Sequence, residues 1–150
     1  MKLATALSER ADLQKRISEL GVRLHNNAKV QEGEKPSEDP VELLKELDEC
    51  LTRLEELIAR INRTNNETQS EGQTITELIA KRDCLKERIR ILRDFLNASS
   101  EKVSRYSKAE IKVYSTVPVS DLQKQVDAYS RQLRETDERI QGLNWTTELI

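Results

Sequence analysis

The sequence predicts an all-α protein: an antiparallel four-helix bundle with coiled-coil packing and a small two-stranded β element at one end. Charged residues make up 35% of the 150 residues and aromatic residues only 3%, so a core must be built from Leu, Ile and Val. Only four glycines and three prolines interrupt the chain, a composition typical of long helices. Apolar residues recur at alternating steps of three and four along four segments, as on one face of a helix.

The first two segments predict helices over residues 2–27 and 40–64. The first carries a heptad seam that Arg10 interrupts. Asp39 is placed to cap the second helix and Pro40 to occupy its first position. The second apolar face is wide enough to predict a helix buried between neighbours. It consists of Leu44, Leu47, Leu51, Leu54, Ile58 and Ile61, flanked by Leu43, Cys50 and Leu57.

The last two segments predict helices over residues 74–97 and 120–142. Ser120 and Gln123 form a capping box at the start of the fourth helix. Four helices of similar length suit an antiparallel bundle, so we expect residues 1–150 to form a single domain.

β-Branched residues are dense between the third and fourth helices, which predicts a strand over residues 110–117. A lone strand leaves its backbone groups unpaired. Residues 28–32, at the same end of an up-down-up-down bundle, are its expected partner. Alternatively, a second chain supplies the partner strand and produces a dimer.

The charges are unevenly distributed along a chain whose net charge is only −2. Residues 32–56 contain ten acidic and three basic residues, a net charge of −7, and the remainder has a net charge of +5. This asymmetry is large enough to orient the protein against a partner.

No uncharged run exceeds eight residues, which excludes a membrane-spanning segment, and no signal peptide is evident. Cys50 and Cys84 lack metal-ligand spacing and indicate free thiols in a reducing cytoplasm.

A polar site at the predicted strand end is one functional hypothesis. Its candidate residues for a small ligand, a metal ion or acid–base chemistry are His25, Glu32, Glu34, Asp39 and Tyr114. The simpler interpretation is a solvated corner with a helix cap, because the acidic loop lacks calcium-loop spacing and a lone histidine lacks catalytic partners. We therefore expect no cofactor and no metal, and assign no catalytic residue.

A second possible site lies in "INRTNNETQSEG", where Asn62, Arg63 and Asn65 either form turns and caps or contact a phosphate. Together with Arg60 and the basic run 102–112, they permit an RNA-binding hypothesis. Without aromatic residues for stacking, the nucleic-acid signal is weak. Nearby, the single tryptophan in "NWTTELI" is either a partner anchor or, as we expect, a lid on the bundle.

Arg10 and Arg82 occupy seam positions and predict a polar layer within the bundle. The carboxylates expected at the same height are Glu55, Glu56, Glu135 and Glu138. Such a layer would fix helix register at some cost in stability. The alternative is that both guanidinium groups reach solvent while their stems cover the core.

Two motifs, "NAKVQEGEKPSEDPVELL" and "INRTN", resemble a family of small, mostly uncharacterised bacterial proteins, some of which carry the label septicolysin. The resemblance covers nearly the whole chain. It implies a bacterial, helical, cytoplasmic-type protein with no established activity. It also raises interest in the motif residues, namely Asn27, Glu32, Glu34, Pro36, Glu38, Asp39, Pro40, Asn62, Arg63, Thr64 and Asn65.

These observations favour a non-enzymatic, cytoplasmic helical protein that associates with itself, as a homodimer or higher oligomer, or with another protein. The wide apolar face of the second helix and the exposed strand edges motivate this hypothesis. An enzyme or small-ligand protein with a site at the strand end is the first alternative. An RNA-binding accessory protein is the second, and no membrane partner is expected.

Overall fold

The computed structural model describes residues 1–100 and 111–150. The described residues form four helices and a small antiparallel sheet, which confirms the predicted helical fold with a small β element. The helices are α1 (Leu3–Asn26), α2 (Pro40–Glu67), α3 (Ile75–Ser100) and α4 (Val119–Thr146), and the strands are β1 (Gln69–Ser70) and β2 (Gln73–Thr74). The chain divides into two compact units: Met1–Ile75 with Leu143–Ile150, and Thr76–Gly142.

In the first unit, α1 and α2 form an antiparallel helical hairpin. Leu20 of α1 packs with Leu43 and Cys50 of α2 in a buried cluster. Leu13, Ile17, Leu24 and Leu47 pack against this cluster. The seam predicted for α1 is therefore the surface that faces α2, and the hydrophobic contact along it holds the two helices together.

The corner between α1 and α2 is built by polar side chains. The buried Asn27 donates from Nδ2 to the Arg23 carbonyl oxygen (2.9 Å) and accepts from the Glu38 amide (3.0 Å). Asp39 accepts from the Val41 amide at 2.9 Å, so it caps α2 as predicted, with Pro40 at the first helical position. The corner turns at Gly33, whose φ of 85° is readily available only to glycine.

The sheet lies elsewhere than predicted. Residues 28–32 and 111–117 form no strand, and residue 110 is outside the described part of the chain. Instead, β1 and β2 pair across a two-residue turn, with Gln69 opposite Thr74. Glu71 and Gly72 both have positive φ (49° and 79°), as this kind of hairpin turn requires. β-Branched residues alone do not make a strand, because a strand needs a backbone partner.

The two ends of the described chain meet in the first unit. Leu3 donates its amide to the Thr147 carbonyl (2.9 Å), and Leu149 donates to the Met1 carbonyl (2.8 Å). Leu149 is buried by this pairing, whereas Trp145 is 67% exposed. The expectation that the tryptophan covers the bundle as a lid is therefore wrong, because Leu149, and not the indole, is buried.

The second unit contains most of α3 and α4, which pack side by side. Leu96 of α3 forms a buried cluster with Leu122 and Val126 of α4. The Arg88 guanidinium lies 4.8 Å from the centre of the Tyr129 ring, a cation–π contact between the two helices. Across the residues described, no helix is long and apolar enough to cross a membrane.

Candidate functional site: an exposed apolar stripe on α2

The wide apolar face of α2 is only half covered. Its residues Leu43, Cys50, Leu57 and Ile61 are buried. Neighbouring apolar residues stay exposed, in the following fractions: Val41 69%, Leu44 55%, Leu51 45% and Ile58 39%. We name these four residues the outer stripe. The prediction that the whole face is buried between neighbours is wrong, because α1 covers only one part of it.

The outer stripe has the periodicity of a helix-packing surface. Leu44, Leu51 and Ile58 are seven residues apart, so they lie in one row along the helix. Each follows a buried residue by one position, which rotates it about 100° around the helix axis from the surface that faces α1. The sequence therefore encodes two adjacent apolar seams on α2, of which one is occupied.

The opposite flank of the α1–α2 seam is closed by ion pairs. Glu9 accepts from Nε (2.6 Å) and Nη2 (3.1 Å) of Arg53. Arg16 donates from Nε to Glu46 at 2.7 Å. Glu46 and Arg53 follow buried residues by three positions, about 60° to the other side of the seam from the outer stripe. The Arg53 guanidinium lowers the pKa of the Glu9 carboxyl.

A third ion pair extends this closed flank to the corner. Arg23 donates to both oxygens of Glu38, with Nη2 2.5 Å from Oε1. This bidentate hydrogen bonding lowers the pKa of the Glu38 carboxyl. Since Glu9, Arg16 and Arg23 are spaced by seven residues, the ion pairs form one row. One flank of the hairpin therefore carries ion-paired polar side chains, and the other carries exposed apolar side chains.

The predicted polar layer does not form within either unit. In the first unit, Glu56 pairs with Arg53 (2.8 Å) and Arg60 (3.3 Å) instead of Arg10, and Glu55 is exposed. Arg10 is half-buried, and its Nε is buried without a hydrogen-bond partner among the described residues. The Glu56 carboxylate is instead bound by Arg53 of the same helix, which also binds Glu9 of α1.

In the second unit, Arg82 pairs with Asp83 (2.9 Å) and reaches Asp137 (3.9 Å). Glu135 and Glu138, the expected partners, are exposed. On α4, the carboxylate that Arg82 reaches is that of Asp137, one residue before the expected Glu138.

The outer stripe is bordered by acidic side chains. Asp48 and Glu55 are exposed, and the structure gives neither of them an ion pair within the described ranges. They differ in this from Glu46 and Glu56, whose charges are offset by arginines. The stripe is thus an apolar row with uncompensated negative charge beside it.

The candidate ligand residues at the predicted strand end belong to both units, four of them to the first. His25, Glu32 and Glu34 are exposed, and Asp39 acts as the α2 cap. Tyr114, which belongs to the second unit, is also exposed. No group of three or more potential metal ligands occurs in the part of the chain that is described. The corner itself is a polar, open concavity of about 420 Å³.

The motif "INRTN" contains one buried residue, Thr64, which the second predicted site did not include. Asn62 and Arg63 are exposed and Asn65 is half-buried, whereas Thr64 is fully buried. Thr64 donates to the Arg60 carbonyl (2.8 Å) and accepts from the Ile150 amide (3.0 Å). Thr64 lies seven residues after Leu57, on the same face of α2, and this spacing is the sequence signal that predicts its burial. Of the basic run 102–112 that the RNA-binding hypothesis used, Lys102, Arg105 and Lys108 lie outside the described residues, and Lys112 is exposed.

The chain is similar to proteins whose function is also unknown. A family described as a family of unknown function (DUF6847) matches residues 10–149. A crystal structure of a functionally unknown conserved protein from Corynebacterium diphtheriae is 42% identical in sequence and superimposes with a TM-score of 0.91. The match covers 100% of this chain and 99% of the other. No protein with a curated description matches the chain.

Proposed function

From the premise that the chain belongs to this family of unknown function, we propose that it is a non-enzymatic helical module that self-associates through the outer stripe of α2. The observation that carries the proposal is the row of Leu44, Leu51 and Ile58, exposed at heptad spacing beside a fully occupied seam. Rows of this kind pack against a helix of another chain.

The energy available from the stripe supports association of moderate strength. Complete burial of a leucine or isoleucine side chain contributes about 1.5–3 kcal/mol, so burying the exposed half of one contributes roughly 1 kcal/mol. Four such residues give about 4 kcal/mol per stripe, against an association cost of about 4–15 kcal/mol. The stripe therefore needs further apolar and polar contacts from the surface that receives it to give a stable complex.

The charge distribution favours a second copy as the occupant. Residues 32–56 carry a net charge of −7 and the remainder of the chain +5. Two copies are consequently complementary when the acidic segment of one approaches a basic part of the other. A chain of this kind does not require a different protein to neutralise the acidic border of its stripe.

The test is the mass of the protein in solution. Light scattering after size exclusion, at roughly 5–200 µM, is expected to show a dimer or higher oligomer. Leu51→Ser removes one apolar contact per stripe and is expected to weaken association about tenfold or more, which corresponds to at least about 1.4 kcal/mol.

The matched control is Val22→Ser. Val22 is 59% exposed on α1, away from the outer stripe, and the change is likewise from an apolar to a small polar side chain. This variant is expected to associate as the wild type does. A wild-type protein that is monomeric at every concentration, or equal effects of the two substitutions, would contradict the proposed function.

A further inference from the structure

We infer that the outer stripe of one copy packs into the basic-rimmed groove between α3 and α4 of a second copy. The inference rests on the self-association proposed above and identifies the surface that receives the stripe. It follows from the floor of the groove, the charges on its rim and the spacing of those charges.

The groove is an open concavity of about 330 Å³ on the second unit. Its apolar lining is provided by Ile89 of α3, which is buried, and Leu133 of α4, which is half-buried. The cations around it are Lys86, Arg93 and Arg134, all on exposed residues. An apolar floor with a basic rim is complementary to an apolar row with an acidic border.

The acidic residues in the groove (Asp137) and beside it (Asp94) do not cancel this charge. Asp137 lies 3.9 Å from an Arg82 nitrogen, and Asp94 lies 3.5 Å from an Arg90 nitrogen. Each of these arginines also binds a second carboxylate, that of Asp83 (2.9 Å) or Glu87 (2.6 Å). The charge of the groove is therefore decided by its own described lining, in which three cations accompany the single carboxylate of Asp137. Lys86 and Arg134 have no ion pair in the described ranges, and Arg93 contacts only the Ser130 hydroxyl, at 3.5 Å. The rim therefore presents positive charge to a partner.

The charges on the two surfaces have the same spacing. Asp48 and Glu55 are seven residues apart on α2, and Lys86 and Arg93 are seven residues apart on α3. Both intervals are two helical turns, about 10.5 Å at 1.5 Å per residue. Two helices that pack lengthwise can therefore align both acidic residues with both basic ones, as flanking charges do in coiled coils.

Pairing of α2 with α2 of the second copy is disfavoured by the same charges. In an antiparallel arrangement centred on Leu51, Asp48 of one copy lies beside Glu55 of the other, because these residues flank Leu51 by three and four positions. In a parallel arrangement each acidic residue lies beside its own counterpart. Both arrangements bring uncompensated like charges together.

The experiment exchanges the charges of the two surfaces in separate variants. One is the double substitution Asp48→Lys with Glu55→Lys; the other is Lys86→Glu with Arg134→Glu. Arg93 is left unchanged because it contacts Ser130. Each variant alone is expected to associate at least tenfold more weakly than the wild type, because its stripe and groove then carry like charge.

An equimolar mixture of the two variants is expected to recover association. In the mixed complex, the basic stripe of the first variant meets the acidic groove of the second. The unaltered stripe and groove meet in the other contact, so both contacts are complementary. Light scattering of the mixture, with one variant isotopically labelled and its complexes weighed by native mass spectrometry, measures this recovery.

The two proposals fail in different ways. Monomeric wild-type protein overturns both. If the wild type associates and Leu51→Ser weakens it, while Lys86→Glu with Arg134→Glu has no effect or the mixture shows no recovery, the groove is overturned and self-association through the stripe stands. A charge-conserving variant, Lys86→Arg, is expected to associate as the wild type does, and circular dichroism establishes that each variant is folded.

Discussion

Asn27 shows how much of the α1–α2 corner depends on a single side chain. Its amide group donates to the end of α1 and accepts from the Glu38 backbone, so it joins two segments eleven residues apart. Glu38 is in turn held by Arg23. The corner motif that is prominent in the sequence is therefore explained by backbone pairing around a buried amide, and the acidic residues within it serve mainly as a cap and an ion-pair partner.

We expect Asn27→Ala to destabilise the first unit. The substitution leaves the Glu38 amide without its acceptor and the Arg23 carbonyl without its side-chain donor, which typically costs about 1–3 kcal/mol. Chemical denaturation followed by circular dichroism measures the loss. The control is Asn26→Ala at the exposed neighbouring position, where the change is expected to be within about 0.5 kcal/mol. Equal effects at both positions would show that the amide of Asn27 contributes nothing specific.

At the scale of elements, the α1–α2 hairpin has different chemistry on its two flanks. One flank carries a row of ion pairs that begins with Glu9–Arg53 and ends with Arg23–Glu38. The other flank carries exposed apolar residues. Exposed ion pairs contribute little individually. They leave one flank of the hairpin with paired charges, while the apolar residues of the other flank remain exposed.

Acid is expected to weaken this hairpin. The pKa values of the Glu9 and Glu38 carboxyls are lowered in the folded protein by hydrogen bonds from Arg53 and Arg23. A carboxyl whose pKa is lowered on folding stabilises the folded protein, and this stabilisation is complete at pH values above the ordinary carboxyl pKa of 4.5. It is lost as the pH falls through the lowered pKa of the folded state. The urea midpoint is therefore expected to fall between about pH 5 and pH 3.

Glu9→Gln tests the cause of this pH dependence. It removes one of the titrating carboxyls and is expected to flatten the decline in the urea midpoint. Glu49→Gln, at an exposed position with no ion pair in the described ranges, is the control and is expected to leave the slope as in the wild type. A Glu9→Gln slope equal to that of the control would exclude the Arg53 pair as its source.

The sequence predicts helices better than it predicts their neighbours. Helical periodicity, Asp39 and Pro40 located α2 at its start, because these signals are local. The periodicity of residues 43–61 also revealed a wide apolar face, but not that α1 covers only half of it. Likewise, β-branched residues at 111–117 suggested a strand that does not form there, and the short sheet depends on the φ angles of Glu71 and Gly72.

At the scale of the whole molecule, the dominant feature is the separation of charge along the chain. The acidic excess lies in residues 32–56, which include the corner and most of the outer stripe. The proposed groove lies on the second unit, where Lys86, Arg93 and Arg134 surround an apolar floor. Complementary surfaces within one sequence allow association between identical copies without a dedicated partner.

Association is therefore expected to depend on salt. Raising NaCl from about 0.05 M to about 0.5 M shortens the screening length to a few ångströms and weakens exposed charge pairs, while contacts between apolar side chains persist. The dissociation constant from sedimentation equilibrium is expected to rise several-fold for the wild type. For Asp48→Lys with Glu55→Lys, whose surfaces repel each other, added salt is expected to strengthen association. A wild-type constant that salt leaves unchanged would contradict an electrostatic contribution.

The exposure of Trp145 determines which spectroscopic signals can follow these changes. It is the single tryptophan of the chain, and its indole is two-thirds in water in the folded protein. Its emission is consequently that of a solvated fluorophore before and after denaturation, so intrinsic fluorescence is a poor reporter of unfolding. Because Trp145 is the single indole and its emission changes little, an extrinsic dye attached to the exposed Cys84 thiol can be followed without interference from a changing tryptophan signal.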